Sequence, residues 1–301
     1  MFSKRKNLKG EEVQWYNLGE WVAPGPTVGD DMVHTFYYWY CADITARTAR
    51  ALHLEQEAEQ YRVIADKTKH AFQARFYRKG AGAYGAGGGN ILALKMGVPE
   101  DQYEDVVTSL RKSITAKGGH LDTGIFGTRF FFEVLAENGM NDLAFEAMNK
   151  TTAPSFGHWI ELGSTTSREQ WDEGGSHNHP MFGGGLVWFY RNLAGMKSDE
   201  AEPGYKHMIV KPQPVAAISN TTYTLQTPYG EAGVSWRLDG AAFKMNVTVP
   251  VGSHATVYVP TQRGQKASLE GEDGKQDNAQ TTEDGYTTFK VGSGQYVFQA
   301  K

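Results

Sequence analysis

The chain is poor in cysteine: Cys41 is the single thiol among 301 residues. No intrachain disulfide can form, so the fold does not depend on oxidation. Cys41 follows Tyr40 in an aromatic helical stretch and reads as a core filler rather than a nucleophile. The chain also lacks a basic surplus. A formal charge of -4 and a pI near 6.2 leave no electrostatic footprint for nucleic acid, and the one basic cluster, Lys4-Arg5-Lys6, reads as a solvated terminus. No apolar run approaches the roughly 20 residues that span a bilayer, and no secretory leader opens the sequence. Neither a membrane nor a nucleic acid is expected as a partner. What remains, with 40% hydrophobic and 12% aromatic residues, is a folded globular chain long enough for one large domain or two ordinary ones.

Two periodicities divide it. From Asp31 to about Leu193 the pattern is helical, with helices expected over 31–51, 55–76, 90–96, 100–116, 126–137, 142–149 and 180–194. Asp30 and Asp31 are candidate N-caps of the first. In the second, Ala58, Tyr61, Ile64, Ala65, Ala71 and Phe72 trace one face. Past Pro203 the period becomes two. Thr221–Thr227, Ala232–Leu238, Ala242–Val249 and Ala255–Val259 are separated by Gly-, Asn- or Asp-bearing turns, the mark of a β-sandwich. The boundary is expected near residue 200, in KSDEAEPG, giving domains 1–200 and 201–301.

The helical part carries tryptophans where loops are expected: Trp15, Trp21, Trp159 and Trp171. Indole faces beside acids suit sugar rings, and Trp21 and Trp171 each neighbour an acid, Glu20 and Asp172. Equally, each indole could plug a loop onto the core. The stretch STTSREQWDEGGSHNHPMFG, 164–183, concentrates charge at the junction of the two halves. His177 and His179, with Asp172 or Glu173, offer a metal-ligand pattern. The chain has no second motif to complete it and Pro180 opens a helix at once, so no metal or other cofactor is expected and His177 reads as a helix-entry cap. Glu169 is the acid best placed for a general base, although an ion pair with Arg168 or Arg191 fits its spacing as well.

LGEW (18–21), GGHLDTGIFGTRFFFEVLAENG (118–139), GSTTSREQWD (163–172), SHNHPMFGGGLVWFYRNLAG (176–195) and PGYKHMIVKPQP (203–214) occur in an order that resembles the C-terminal part of bacterial α-L-rhamnosidases, glycoside hydrolase family 78. The resemblance runs from about Trp15 to the end of the chain. It implies an (α/α)6 toroid, present here in part with about seven helices, followed by an antiparallel β-sandwich. It implies inverting hydrolysis of terminal α-L-rhamnose, with a rhamnose-containing glycoside as the partner. Carried over by motif, the general base falls on Glu169. Sugar contacts fall on His179, Trp21 and Glu20, and Trp171 is expected beside them. Arg168 stands where the family has Trp, and Glu20 where it has Asp.

The family's acid-bearing Arg-Asp-Glu segment is not recognisable in this sequence. The chain therefore reads as the second half of a catalytic domain plus its sandwich, and if it hydrolyses alone, Glu20, Asp122 or Glu173 is the expected acid. Apolar faces over 31–76, left open at the toroid edge, are expected to drive self-association or docking of a partner polypeptide. The alternative reading is a non-catalytic carbohydrate-binding remnant.

Overall fold

The computed structural model describes residues 5–6, 12–13, 19–172, 174–262, 265–270, 280–281 and 285–301. The chain divides into two units, Met1–Gly185 and Leu186–Lys301. Trp15, Glu173 and Lys4 lie outside the described residues.

The first unit opens with a two-stranded antiparallel ladder, β1 (Arg5–Lys6) and β2 (Glu12–Val13). Helices α1 (Asp30–Ala51) and α2 (Glu55–Phe76) form a hairpin closed by three residues. They are followed by α3 (Gly89–Met96), α4 (Glu100–Ala116), α5 (Ile125–Glu137), α6 (Asn141–Met148) and the short α7 (Phe156–Glu161). A 3₁₀ turn (Pro180–Gly183), α8 (Gly184–Trp188) and a π turn (Phe189–Leu193) replace the single helix expected over 180–194.

Burial shows why these helices pair. In α4 only Val106, Leu110 and Ile114 are buried, one stripe at intervals of four, as in an outer helix with one wet side. In α5 Ile125, Gly127, Thr128 and all of 130–136 are buried, as in a helix covered on every side. Six of the eight residues of α3 are buried too. Consecutive helices pack as α1 with α2, α3 with α4 and α5 with α6, while α1 meets α3 and α3 meets α5. Odd helices therefore form an inner layer and even helices an outer one, which is the arrangement of a toroid of helical hairpins. Alanines bring the first pair together: Ala42, Ala46 and Ala49 of α1 and Ala58 and Ala65 of α2 are buried.

Four local expectations are corrected. Cys41 is exposed, because the buried face of α1 is set by Met32, Val33, Phe36, Trp39 and Ala42, and position 41 falls outside it. Ala71 is exposed for the same reason on α2. The N-cap of α1 is Gly29 without a side-chain bond; Asp30 and Asp31 sit in the first turn, where their charge suits the positive end of the helix, and Asp31 pairs with Arg75 at 2.7 Å. Trp159 is not in a loop but on α7, and it is buried. Between 31 and 76 the large apolar side chains left exposed are Tyr38, Ile44, Leu52, Leu54 and Val63.

The second unit holds two five-stranded sheets. One runs β10-β11-β8-β4-β3, built from β3 (Met196–Ser198), β4 (His207–Val210), β8 (His254–Pro260), β10 (Gln280–Thr281) and β11 (Tyr286–Val291). The other runs β5-β6-β7-β12-β9, built from β5 (Asn220–Thr227), β6 (Gly230–Asp239), β7 (Ala242–Val249), β9 (Ala267–Glu270) and β12 (Gly294–Ala300). Strict alternation on β7 buries Phe243, Met245, Val247 and Val249, and Phe289 of one sheet meets Phe298 of the other at 5.2 Å. Asp239 pairs with Ala242 across a two-residue turn, for which Gly240 supplies a φ of +60°. Among the described strands one pairing departs from the antiparallel expectation: β4 runs parallel to β8, setting His207 beside His254.

Candidate active site

The charged stretch 164–183 folds back on itself. The Glu169 N–H donates to the Ser176 carbonyl and the His179 N–H to the Ser167 carbonyl, both at 2.8 Å, and the Thr166 hydroxyl donates to the His177 carbonyl. The two limbs 166–169 and 176–179 thus run as a short irregular ladder. Its turn is made by Asp172, whose Oδ1 accepts from the Gly174 N–H at 3.2 Å, and by Gly175 with φ +71°. Trp171 fixes the turn to the core. Its indole is buried, stacks on Trp159 at 4.4 Å and 16°, packs on Phe156 and Phe182, and donates to the Thr123 carbonyl at 3.3 Å. The expectation that Trp171 lines a sugar subsite gives way here: the side chain is an internal anchor with 6% exposure.

Glu169 is held in place by this ladder. Its Oε2 accepts from the Ser176 N–H at 2.8 Å, and its Oε1 accepts from Trp21 Nε1 at 3.4 Å. These bonds, led by the Ser176 amide and joined by the nearby His179, hold the carboxyl below the usual range, so it is ionised at neutral pH. Gly175 is part of the geometry: a Cβ there would lie 2.7 Å from Glu169 Oε2, on a backbone conformation that side chains resist. Gly175→Ala is therefore expected to displace the carboxylate and lower any activity that needs it by about tenfold or more, with the melting temperature down only by a few degrees. Kinetics beside a thermal melt checks this, and an unchanged rate would detach Gly175 from the site.

Trp21 reaches Glu169 from a turn pinned to the N-terminus of α5. The Ile125 N–H donates to the Trp21 carbonyl at 3.0 Å, and the Gly127 N–H donates to Glu20 Oε1 at 2.8 Å and to Oε2 at 3.1 Å. Glu20 thus caps, from a distant segment, the first turn of a helix whose own N-cap, Gly124, has no side chain to offer. Two glycines make the approach possible. A Cβ on Gly124 would sit 2.0 Å from the Trp21 carbonyl oxygen, and one on Gly127 would lie 2.9 Å from Glu20 Oε1. The motif GIFG, 124–127, is in this sense a receptor for Glu20-Trp21. Val22 at φ +54° closes the turn.

Glu20 itself is 4% exposed. Desolvation outweighs the amide hydrogen bonds and lifts its pKa to about 7, with Asp122 adding a small push in the same direction. That value would suit a general acid, but geometry takes precedence. Both oxygens are turned onto a backbone amide inside the protein, so Glu20 shapes the turn that presents Trp21, and its carboxylate is buried rather than open for the sugar contact expected of it. Asp122, also buried, is committed to Lys117 Nζ at 2.6 Å and the Gly87 N–H at 3.0 Å. Arg168 is buried and donates to Ser164 Oγ at 2.7 Å. His177 is exposed, and the residue at the entry of the 3₁₀ turn is His179, which makes no side-chain cap.

Of the five sequence-derived candidates, Trp21 bonds to Glu169 and His179 lies near enough to favour its charged form, whereas Glu20 and Trp171 are buried. The residues that sequence reasoning passed over are Ser176, Gly175, Gly124 and Gly127. A Gly-Gly-Ser run five to seven residues after an acid is the only signal that pointed to the first two.

The chain matches two family models: the bacterial alpha-L-rhamnosidase 6 hairpin glycosidase domain over residues 2–193, and the bacterial alpha-L-rhamnosidase C-terminal domain over residues 195–274. An alpha-L-rhamnosidase of Streptomyces avermitilis is 29% identical over 293 residues, which cover 93% of this chain and 28% of that protein. One of Formosa agariphila is 28% identical, covering 95% and 33%. Among solved structures, an alpha-L-rhamnosidase from Dictyoglomus thermophilum superposes with a TM-score of 0.85 at 32% identity, over 96% of this chain and 34% of that one. The Streptomyces avermitilis enzyme complexed with L-rhamnose gives 0.82 at 28% identity, over 94% and 28%. The chain thus spans about a third of the length of these relatives.

Proposed function

Because this chain belongs to the bacterial α-L-rhamnosidase six-hairpin glycosidase family, we propose that its site takes part in hydrolysing terminal α-L-rhamnose from glycosides, with inversion and with Glu169 as the general base. The observation that carries the reading is the bond from Trp21 to Glu169, with His179 nearby and Glu169 kept ionised by the Ser176 amide. In the proposed step a water gives its proton to Glu169 as its oxygen bonds to the anomeric carbon. The bond to the leaving oxygen breaks, and that oxygen takes a proton from a second carboxyl group. Trp21 offers an apolar indole face to the C–H side of the ring. His179 offers a hydrogen bond to a hydroxyl and adds positive charge beside the base when protonated.

Inversion requires the two carboxyls to stand about 6.5–9.5 Å apart, with room for the water. Among the described residues, Glu20 and Asp122 are buried and committed to amides or to Lys117, so neither suits the acid. Glu173 lies outside them. The second reading, sugar binding without hydrolysis, rests on this one point. Proton NMR of p-nitrophenyl α-L-rhamnoside during turnover separates the alternatives. β-L-rhamnose as the first product supports the inverting proposal. α-L-rhamnose first would replace it with a retaining mechanism, and no product alongside measurable sugar binding would favour the second reading.

A further inference from the structure

Among the described residues outside the candidate active site, one cluster in the strand-rich unit joins two imidazoles to two carboxylates. The parallel pairing of β4 and β8 puts His207 level with His254, so both side chains leave the same face of the sheet and their rings stack at 4.5 Å and 13°. Glu202, in the segment leading into β4, brings Oε1 to 3.4 Å from His254 Nε2. One ring nitrogen of each histidine and one oxygen of Glu202 lie within 4.8 Å of one another. We infer that Glu202, His207 and His254 form a binding site for a divalent transition-metal ion of the zinc or copper class.

The donor set fits such an ion. Zinc and copper take two neutral imidazoles and a carboxylate readily, and the two imidazoles, as borderline nitrogen donors, disfavour calcium and magnesium, which prefer all-oxygen sets. Ligand atoms about 2.0–2.2 Å from a tetrahedral ion stand roughly 3.3–3.6 Å from each other, and the His254–Glu202 pair already has that separation. The remaining closure is a side-chain adjustment. Glu202 and His254 are about half exposed and free to make it, at 47% and 44% exposure.

His207 is the fixed point. Its Nδ1 meets Asp199 Oδ2 at 2.7 Å and its Nε2 meets Thr256 Oγ1 at 2.8 Å. A carboxylate on one ring nitrogen is the outer-sphere arrangement that orients metal-binding histidines and sets their tautomer. Coordination replaces one of the two bonds. At Nε2, the Thr256 hydroxyl turns aside and Asp199 stays as the orienting group. At Nδ1, Asp199 becomes a further oxygen ligand. In either case the ion ties the 199–206 segment and β4 to β8, whose facing residues are 47 positions apart. It would clip the parallel β4–β8 pair.

The test is titration of zinc sulfate into the metal-stripped chain at pH 7.5 by calorimetry, with thermal melts alongside. One zinc per chain is expected. At a hundredfold excess over Kd the melting temperature should rise by about 5 °C or more. His254→Asn should remove this site, and Glu202→Gln should weaken it by about tenfold or more. Both side chains are half exposed, so these variants keep the fold. With Cu²⁺, electron paramagnetic resonance should show nitrogen hyperfine coupling that His254→Asn reduces. His177 and His179 are the rival imidazole pair, so His177→Asn/His179→Asn should leave the titration unchanged. No binding at 100-fold zinc excess over chain, or binding that His254→Asn leaves intact, would overturn the inference.

Discussion

In a form that hydrolyses α-L-rhamnosides, Glu169→Gln is expected to lower kcat by about 10²–10⁴, the range associated with loss of a general base, with the fold intact. Glutamine keeps the oxygen that accepts from the Ser176 amide and the neighbourhood of Trp21, so the ladder closing 166–179 survives. Only the ability to take a proton is lost. The pH profile gives a second reading of the same residue. Its carboxyl sits below its ordinary value of 4.5, so the acid limb of kcat/KM that it governs should fall below that pH. Circular dichroism and steady-state kinetics on both proteins decide the matter. If Glu169→Gln keeps more than about a third of wild-type kcat, the base is another carboxylate, and Asp172, exposed on the same turn, is the next to test.

Glu20→Gln should change how stability responds to pH, by about 3 kcal/mol between pH 5 and 8. Burial raises the Glu20 pKa from 4.5 to about 7, so the folded chain holds a proton that the unfolded chain releases in that window. Stability contributed by the protonated carboxyl is complete below pH 4.5, declines as pH rises, and is lost above about 7. Glutamine still accepts from the Gly127 amide but does not titrate. Urea unfolding at pH 5 and pH 8 should therefore show a larger loss of stability on going to pH 8 in the wild type than in the variant. Parallel pH dependences would mean that Glu20 is solvated and does not carry the turn at the head of α5.

The contrast between these two acids explains what the sequence could and could not disclose. Helical period and glycine punctuation were enough to delimit α1 to α6, because each is amphipathic or bounded by Gly or Pro. Alternation was enough for β5 to β8. The six residues of α7 and the three of β3 are too short to carry a period, and the parallel partner of β4 lies 47 residues away, beyond any local pattern. Within the site, motif order named Trp21, Glu169 and His179. It could not tell that Trp171 faces inward, since an indole beside an acid looks the same in a sequence whether it meets a ligand or Trp159. Nor could it tell that Glu20 caps α5. That role depends on the missing side chains of Gly124 and Gly127, more than a hundred residues along the chain, and on a desolvation that only packing creates.

The central claim is that Trp21 and His179 touch the sugar beside Glu169. Its most direct test is calorimetric titration of L-rhamnose into the chain and into Trp21→Ala and His179→Ala, with a thermal melt of each. The unsubstituted chain should bind L-rhamnose, and each variant should bind about tenfold or more weakly, a loss of roughly 1.4 kcal/mol, with its melting temperature nearly unchanged. Unchanged affinity in variants whose melting temperatures fall by several degrees would contradict the claim, and would make both residues supports of the fold.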